Sequence, residues 1–214
     1  MAKRILFQGD SITDCGRDRN NYFGMGVGYP YLVKSQLSFE NVDEYEFLNR
    51  GISGNRSVDI YARIKADFIN LKPDYASLLF GVNDVWHEIN IDNGVDTEKF
   101  EKIYTMLLDE IFEALPNLKL ILMAPYVIEG SSTCNCEEKP DRFERFRTGV
   151  DEKIEAVKRI AKKYNLPLIE LQPAFDEALL KAPGTYWAYD GVHPTVSGHE
   201  MIKRLWINEF EKIK

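Results

Sequence analysis

The chain has 214 residues, 44% of them hydrophobic, with 34 acidic against 27 basic side chains for a net charge of −7. That composition supports a folded domain with a sizeable core and excludes a disordered chain; the acidic balance argues against a nucleic-acid or anionic-membrane partner. No stretch approaches the ~20 apolar residues of a membrane helix, and Met1 to Arg4 lead into the first predicted strand without an apolar leader, so a cytoplasmic protein is expected.

Strand and helix patterns alternate along the chain. Arg4–Gln8 reads as a short apolar strand that ends in Gly9-Asp10-Ser11-Ile12-Thr13. A helix is predicted over Tyr29–Phe39 and a strand over Tyr45–Asn49. A second helix is predicted over Val58–Leu71, where Ile60, Ile64, Phe68 and Leu71 form one stripe. Tyr75–Phe80 is an apolar strand of the buried type. Thr97–Leu115 is a long amphipathic helix with Thr97 as its expected N-cap. Lys119–Met123 and Pro167–Glu170 complete the strands, and helices are predicted over Phe146–Tyr164, Pro173–Lys181 and Thr195–Lys212. The segments 12–28, 82–96, 125–145 and 182–194 are left as long loops. This βαβαβαβαβα order implies an α/β fold, a doubly wound five-stranded parallel sheet between two helical layers (a three-layer αβα sandwich), with residues 1–214 as one domain.

Open α/β sheets bind ligands at the carboxyl edge of their strands, where Ser11 is placed. A serine nucleophile needs a base, a group that orients the base, and donors for the developing oxyanion. Asp190-Gly191-Val192-His193-Pro194 supplies the first two: neutral His193 accepts the hydroxyl proton, and Asp190, three residues earlier, reaches its other ring nitrogen. For the oxyanion, the candidates are the Ser11 N–H, the Gly51 N–H after the second strand, and the Asn83 amide after the third. Each motif alone also suits an ordinary turn or cap; their placement after successive strands is the specific signal. His199 is expected to be structural. His87 either lines the cleft or sits in a solvated loop.

Cys15, Cys134 and Cys136 form no disulfide framework, and Cys134-Asn135-Cys136 lacks zinc-ligand spacing, so the cysteines are expected to be reduced thiols and no metal is expected.

With these residues in hand, the chain resembles the SGNH (GDSL-type) hydrolases over nearly its full length. The serine block matches Gly9 to Thr13, the glycine block Asn49 to Gly54, the asparagine block Gly81 to Asp84, and the Asp-x-x-His block Asp190 to His193. The pattern differs from the Gly-x-Ser-x-Gly elbow, since Thr13 stands where its second glycine would be. The resemblance implies the flavodoxin-like SGNH fold and gives Ser11, Asp190 and His193 the catalytic roles and Ser11, Gly51 and Asn83 the oxyanion hole. The fit is closer to one branch, resembling intracellular acetyl-xylooligosaccharide esterases through Ile12 to Arg17, Gly26 to Tyr29, Gly51 to Asn55, Asn83 to Trp86 and His193-Pro194; the Thr133–Asp141 loop departs from that branch. The implied activity is removal of acetyl groups from an acetylated carbohydrate through an acyl-enzyme, with no cofactor. Trp86, Tyr126, Trp187 and Tyr189 are candidates to contact the sugar, and Arg17 to contact substrate or pair with Asp14. The competing readings are a lysophospholipase or thioesterase with the same site, and a non-catalytic carbohydrate-binding protein. An exposed aromatic surface would be the sign of a homo-oligomer.

Overall fold

A computed structural model describes residues 2–214. Five parallel strands form one sheet in the order β2-β1-β3-β4-β5: β1 (Lys3–Gly9), β2 (Tyr45–Asn49), β3 (Tyr75–Leu79), β4 (Lys119–Ala124) and β5 (Leu168–Glu170). Parallel strands covered on both faces read as continuous apolar runs rather than alternating ones. All of Tyr-Ala-Ser-Leu-Leu in β3 is accordingly buried. Register is regular: Phe7 sits beside Asn49 of β2 on one side and Ser77 of β3 on the other.

Helices cover both faces. The helices α2 (Tyr29–Glu40) and α10 (Val196–Ile213) pack together, and Trp206 and Phe210 of α10 lie over the sheet with Phe7 and Tyr29. Elsewhere α3 (Ser57–Ala62) packs on α6 (Thr97–Ala114), which packs on α7 (Arg142–Tyr164), which in turn meets α5 (Val82–Ile91). Shorter pieces are α1 (Ser11–Asp14), α4 (Ile64–Asp67), α8 (Leu171–Leu179) and α9 (Gly184–Trp187). No helix among the described residues is long and apolar enough to cross a membrane.

The chain runs from β1 outward to β2, then crosses back to β3 on the other side of β1. The connections after β1 and β3 therefore diverge, and a crevice opens between them at the carboxyl edge.

Four predicted elements are corrected. The helix over Val58–Leu71 is broken into α3, α4 and a 3₁₀ turn at Ile69–Leu71, with Arg63 at φ −113°, ψ 8° interrupting it. Part of the predicted loop 82–96 is the helix α5, whose Val82, Val85 and Ile89 face the core. The N-cap of α6 is Asp96, whose carboxylate accepts the Lys99 N–H at 2.8 Å, and not Thr97. The helix α7 begins a turn before its predicted start, at Arg142.

Candidate active site

β1 delivers Ser11 into a single helical turn. Asp10 caps it, its Oδ1 accepting the Ile12 N–H at 3.0 Å. Cys15, in the left-handed region at φ 36°, ends it. Ser11 is thereby held at the crevice between β1 and β3.

His193 arrives from the far end of the chain. Its Nε2 lies 2.9 Å from Ser11 Oγ and its Nδ1 lies 2.8 Å from Asp190 Oδ2. The Asp190 carboxylate can only accept, so Nδ1 carries the proton and Nε2 presents a lone pair to the serine hydroxyl. Asp190 Oδ1 also receives the N–H groups of Val192 and His193, at 3.0 and 2.9 Å. Partial burial opposes ionisation of Asp190, but these hydrogen bonds outweigh it and hold its pKa down to about 2. The same contact with Asp190 raises His193 above its ordinary value against the opposing effect of burial.

The Asp190–His193 loop is braced by the segment after β4. Ile128 N–H donates to Gly191 O at 2.9 Å, Ser132 N–H to Asp190 O at 3.0 Å, and the Tyr126 hydroxyl to Val192 O at 2.6 Å. Gly191 holds φ 100°. Gly130 lies so close that a Cβ there would stand 2.3 Å from Gly191 N.

The loop after β2 is fixed as firmly. Asn49 Nδ2 donates to Thr13 O at 2.6 Å and to Met25 O at 2.9 Å, while its Oδ1 accepts the Gly51 N–H at 2.8 Å. Asp14 Oδ2 accepts from Ser53 N–H at 2.9 Å, from the Ser53 hydroxyl at 3.0 Å and from Arg19 at 2.6 Å. Burial disfavours the Asp14 charge, yet Arg19 and Ser53 prevail and lower its pKa. Behind the third strand end, both oxygens of Asp84 accept the Ser57 N–H at 3.1 Å, which ties the start of α5 to the start of α3.

This geometry changes the predicted oxyanion donors. Gly51 is packed beneath the site, its N–H is engaged by Asn49, and a Cβ on it would stand 2.3 Å from Asp14 N. Gly54, at φ 82°, lines the cleft with Ser11 and Asn83 instead. Among the described residues, the N–H groups of Ser11 and Gly54 donate to no acceptor. One Asn83 amide hydrogen goes to Asn55 O at 3.1 Å, leaving the other free.

The cleft has a volume of about 540 Å³, within the range of small-molecule sites. Trp86 and Tyr189 line it, and the Trp86 ring stands edge-on to His193 at 6.4 Å between centroids. Three predicted contacts are corrected. Tyr126 is fully buried, stacked on Phe175, and reaches the site only through Val192 O. Trp187 faces a separate groove beside α8 and α10, with its indole N–H on Ala182 O at 3.3 Å. Arg17 is outside the residues that line the cleft, its Nε–H donating to Gly51 O at 2.8 Å, and Arg19 is the ion-pair partner of the Asp14 side chain.

Sequence reasoning missed Gly54, Asp14, Asp84 and Asp10 as site-building residues. Asp10 is fully buried with Oδ2 unpartnered, and burial pushes its pKa up to about 7. His199 is structural as expected: its Nδ1 accepts the Tyr29 N–H at 3.1 Å, which leaves Nε2–H directed at Cys15 Sγ, 3.2 Å away. No group of three or more metal-ligating side chains occurs among the described residues.

A family model described as GDSL-like lipase/acylhydrolase matches residues 7–201. An acetylxylan esterase of Geobacillus stearothermophilus is 34% identical, over 97% of this chain and 94% of its own. The crystal structure of that organism's acetylxylan esterase Axe2 superposes with a TM-score of 0.83, at 34% identity over 97% of this chain and 93% of its own. An alpha/beta hydrolase enzyme from the metagenome of Lake Arreo, Spain, reaches 0.84 at 29% identity, over 100% of this chain and 98% of its own.

Proposed function

The chain belongs to the GDSL-like lipase/acylhydrolase family, and from that premise we propose a serine esterase that removes acetyl groups from acetylated xylo-oligosaccharides through an acyl-enzyme. The observation that carries the reading is the hydrogen-bonded sequence Ser11–His193–Asp190 in a chain 34% identical to an acetylxylan esterase along almost all its length.

The ester carbonyl sits within about 3–3.5 Å of Ser11 Oγ. As Ser11 attacks, His193 Nε2 takes its proton and Asp190 stabilises the imidazolium. The N–H groups of Ser11 and Gly54 and the free Asn83 amide hydrogen receive the charge on the carbonyl oxygen, each such donor being worth ~10²–10³ in rate. His193 returns the proton to the sugar's ester oxygen as its bond to the acyl carbon breaks, so the sugar leaves as the alcohol. Water, deprotonated by His193, then attacks the acetyl-enzyme, and collapse of the second tetrahedral intermediate frees acetate and the Ser11 hydroxyl.

Trp86 and Tyr189 are the aromatic surfaces this cleft offers a sugar ring. We read residues 1–214 as one hydrolase domain. The free thiols Cys15, Cys134 and Cys136 suit a reducing compartment, and we place the enzyme in the cytoplasm.

Acetate release from a panel of acetylated xylo-, manno- and galacto-oligosaccharides tests the substrate, with acetyl, butyryl and octanoyl p-nitrophenyl esters testing the acyl group. Preference for acetylated xylo-oligosaccharides and falling rates with acyl length are expected. Rates that climb with chain length would instead identify a lipid or thioester acylhydrolase.

A further inference from the structure

We propose that His87 is a specificity residue that hydrogen-bonds a hydroxyl of the departing alcohol, so that the cleft favours polyhydroxylated acetyl esters over hydroxyl-free ones. The proposal rests on reading this cleft as the ester-hydrolysing site, and it deepens that reading on the leaving-group side.

His87 lies four residues after Asn83 in α5, and both line the cleft that holds Ser11. That spacing puts the two side chains on one helix face, a turn apart. Burial falls along this face, from buried Asn83 to partly exposed His87. The acyl carbon and its oxyanion belong at the Asn83 level beside Ser11. The alcohol portion extends outward from them, to the level of His87.

Two other polar side chains of the wall are committed within the fold. Ser53 donates its hydroxyl to Asp14, and His199 is spent between Tyr29 and Cys15. His87 differs. Its Nδ1 is buried, and its Nε2 remains accessible with no hydrogen-bond partner among the described residues, on a ring that lines the cleft. The neighbouring guanidinium of Arg56 is held by Asp59 and by Asn93, at 2.7 Å from its carbonyl, and makes no hydrogen bond to the ring. A ring nitrogen of neutral imidazole either donates or accepts according to the tautomer, and a sugar hydroxyl, which can do both, matches Nε2 in either state. Burial, reinforced by Arg56, lowers the pKa of His87 and favours that neutral form.

Two variants isolate the ring's polar atoms: His87→Leu keeps bulk without hydrogen bonding, and His87→Gln keeps a donor and an acceptor. The readout is kcat/KM on monoacetylated xylobiose and on glycerol monoacetate, each divided by kcat/KM on p-nitrophenyl acetate. With His87→Leu, the xylobiose ratio should fall about tenfold, the loss of one hydrogen bond to substrate, mainly through KM; His87→Gln should restore most of it. An unchanged ratio, equal recovery failure in both variants, or a His87→Leu protein that does not fold would overturn the proposal. If the parent enzyme cleaves glycerol monoacetate but no sugar ester, the xylo-oligosaccharide reading fails while His87 is judged by the glycerol ratio in the same way. A parent that cleaves neither hydroxylated ester would overturn both.

Discussion

Asp84 holds Ser57 with both carboxylate oxygens, each 3.1 Å from the Ser57 N–H, and also accepts the Ser57 hydroxyl. The pair joins the first turns of α5 and α3, so Asn83, next to Asp84, and Gly54, three residues before Ser57, keep a fixed separation. Asp84→Ala would strand two donors, one of them a buried backbone N–H, at a cost of ~1–3 kcal/mol each. A fall in Tm of roughly 10 °C is expected for a chain of this size, with a fall in kcat larger than any change in KM. Calorimetry and steady-state kinetics check both, and an unchanged Tm would show the link to be dispensable.

The glycine pair separates packing from chemistry. Gly51→Ala would drive a Cβ to 2.3 Å from the backbone nitrogen of Asp14, displacing the turn that carries Ser11, and is expected to yield little folded protein. Gly54→Ala meets nothing within 4 Å but must hold φ 82°, which costs ~1–2 kcal/mol. It should remain folded while losing up to ~10²–10³ in kcat as its N–H swings off the oxyanion. Thermal melts and p-nitrophenyl acetate turnover distinguish the two; full activity in Gly54→Ala would remove that N–H from the mechanism.

Activity requires neutral His193. Because Asp190 raises the pKa of His193, kcat/KM should rise with pH through an inflection above the ordinary histidine value of 6.5. Asp190→Asn withdraws the carboxylate, so the inflection should move down and kcat should drop by ~10⁴. Ser11→Ala should lose at least as much with its melting temperature retained. A pH–rate profile on p-nitrophenyl acetate compares the parent with both variants, and an inflection indifferent to Asp190 would break the assignment.

Asp10 supplies a pH test of stability. Burial raises its pKa from 3.8 to about 7. The folded chain therefore binds this proton more tightly than the unfolded chain, and the group's contribution to stability diminishes as pH climbs from about 4 through 7. Asp10→Asn removes that slope while its amide oxygen still accepts the Ile12 N–H. The Tm of the variant relative to the parent should rise between pH 5 and pH 8. A constant difference would mean that Asp10 ionises normally.

The strands were legible because parallel, fully covered strands must be apolar throughout, as in β3 and β4. Helix periodicity located α2, α6, α7 and α10 for the related reason that one face of each is buried. The stripe of Ile60, Ile64, Phe68 and Leu71 was also real in its spacing, but periodicity carries no record of the break at Arg63. In α5, Asn83, Asp84 and Asn90 favour loops, and the helix forms because Val82, Val85 and Ile89 pack into the core. Residue types at strand ends pointed to Ser11, His193, Asp190 and Asn83. They did not separate Gly51 from Gly54, because either glycine permits close approach and only the position of Asn49 Oδ1 decides which N–H is free. Tyr126 and Trp187 were misplaced for a similar reason: an aromatic near a site in sequence is as apt to support a loop as to meet a ligand.

The two members of the 2.9 Å contact, Ser11 and His193, stand 182 positions apart. On a ribosome, β1 emerges before the other four strands and waits for the neighbours β2 and β3 that will flank it, while the base follows only after all five strands have been synthesised. No nascent chain short of residue 193 holds the pair, so hydrolytic capacity waits for translation through that residue. Ester turnover can then serve as a reporter of synthesis through residue 193 and of folding, and chains stalled or clipped before that residue would stay silent however much of the sheet they had assembled.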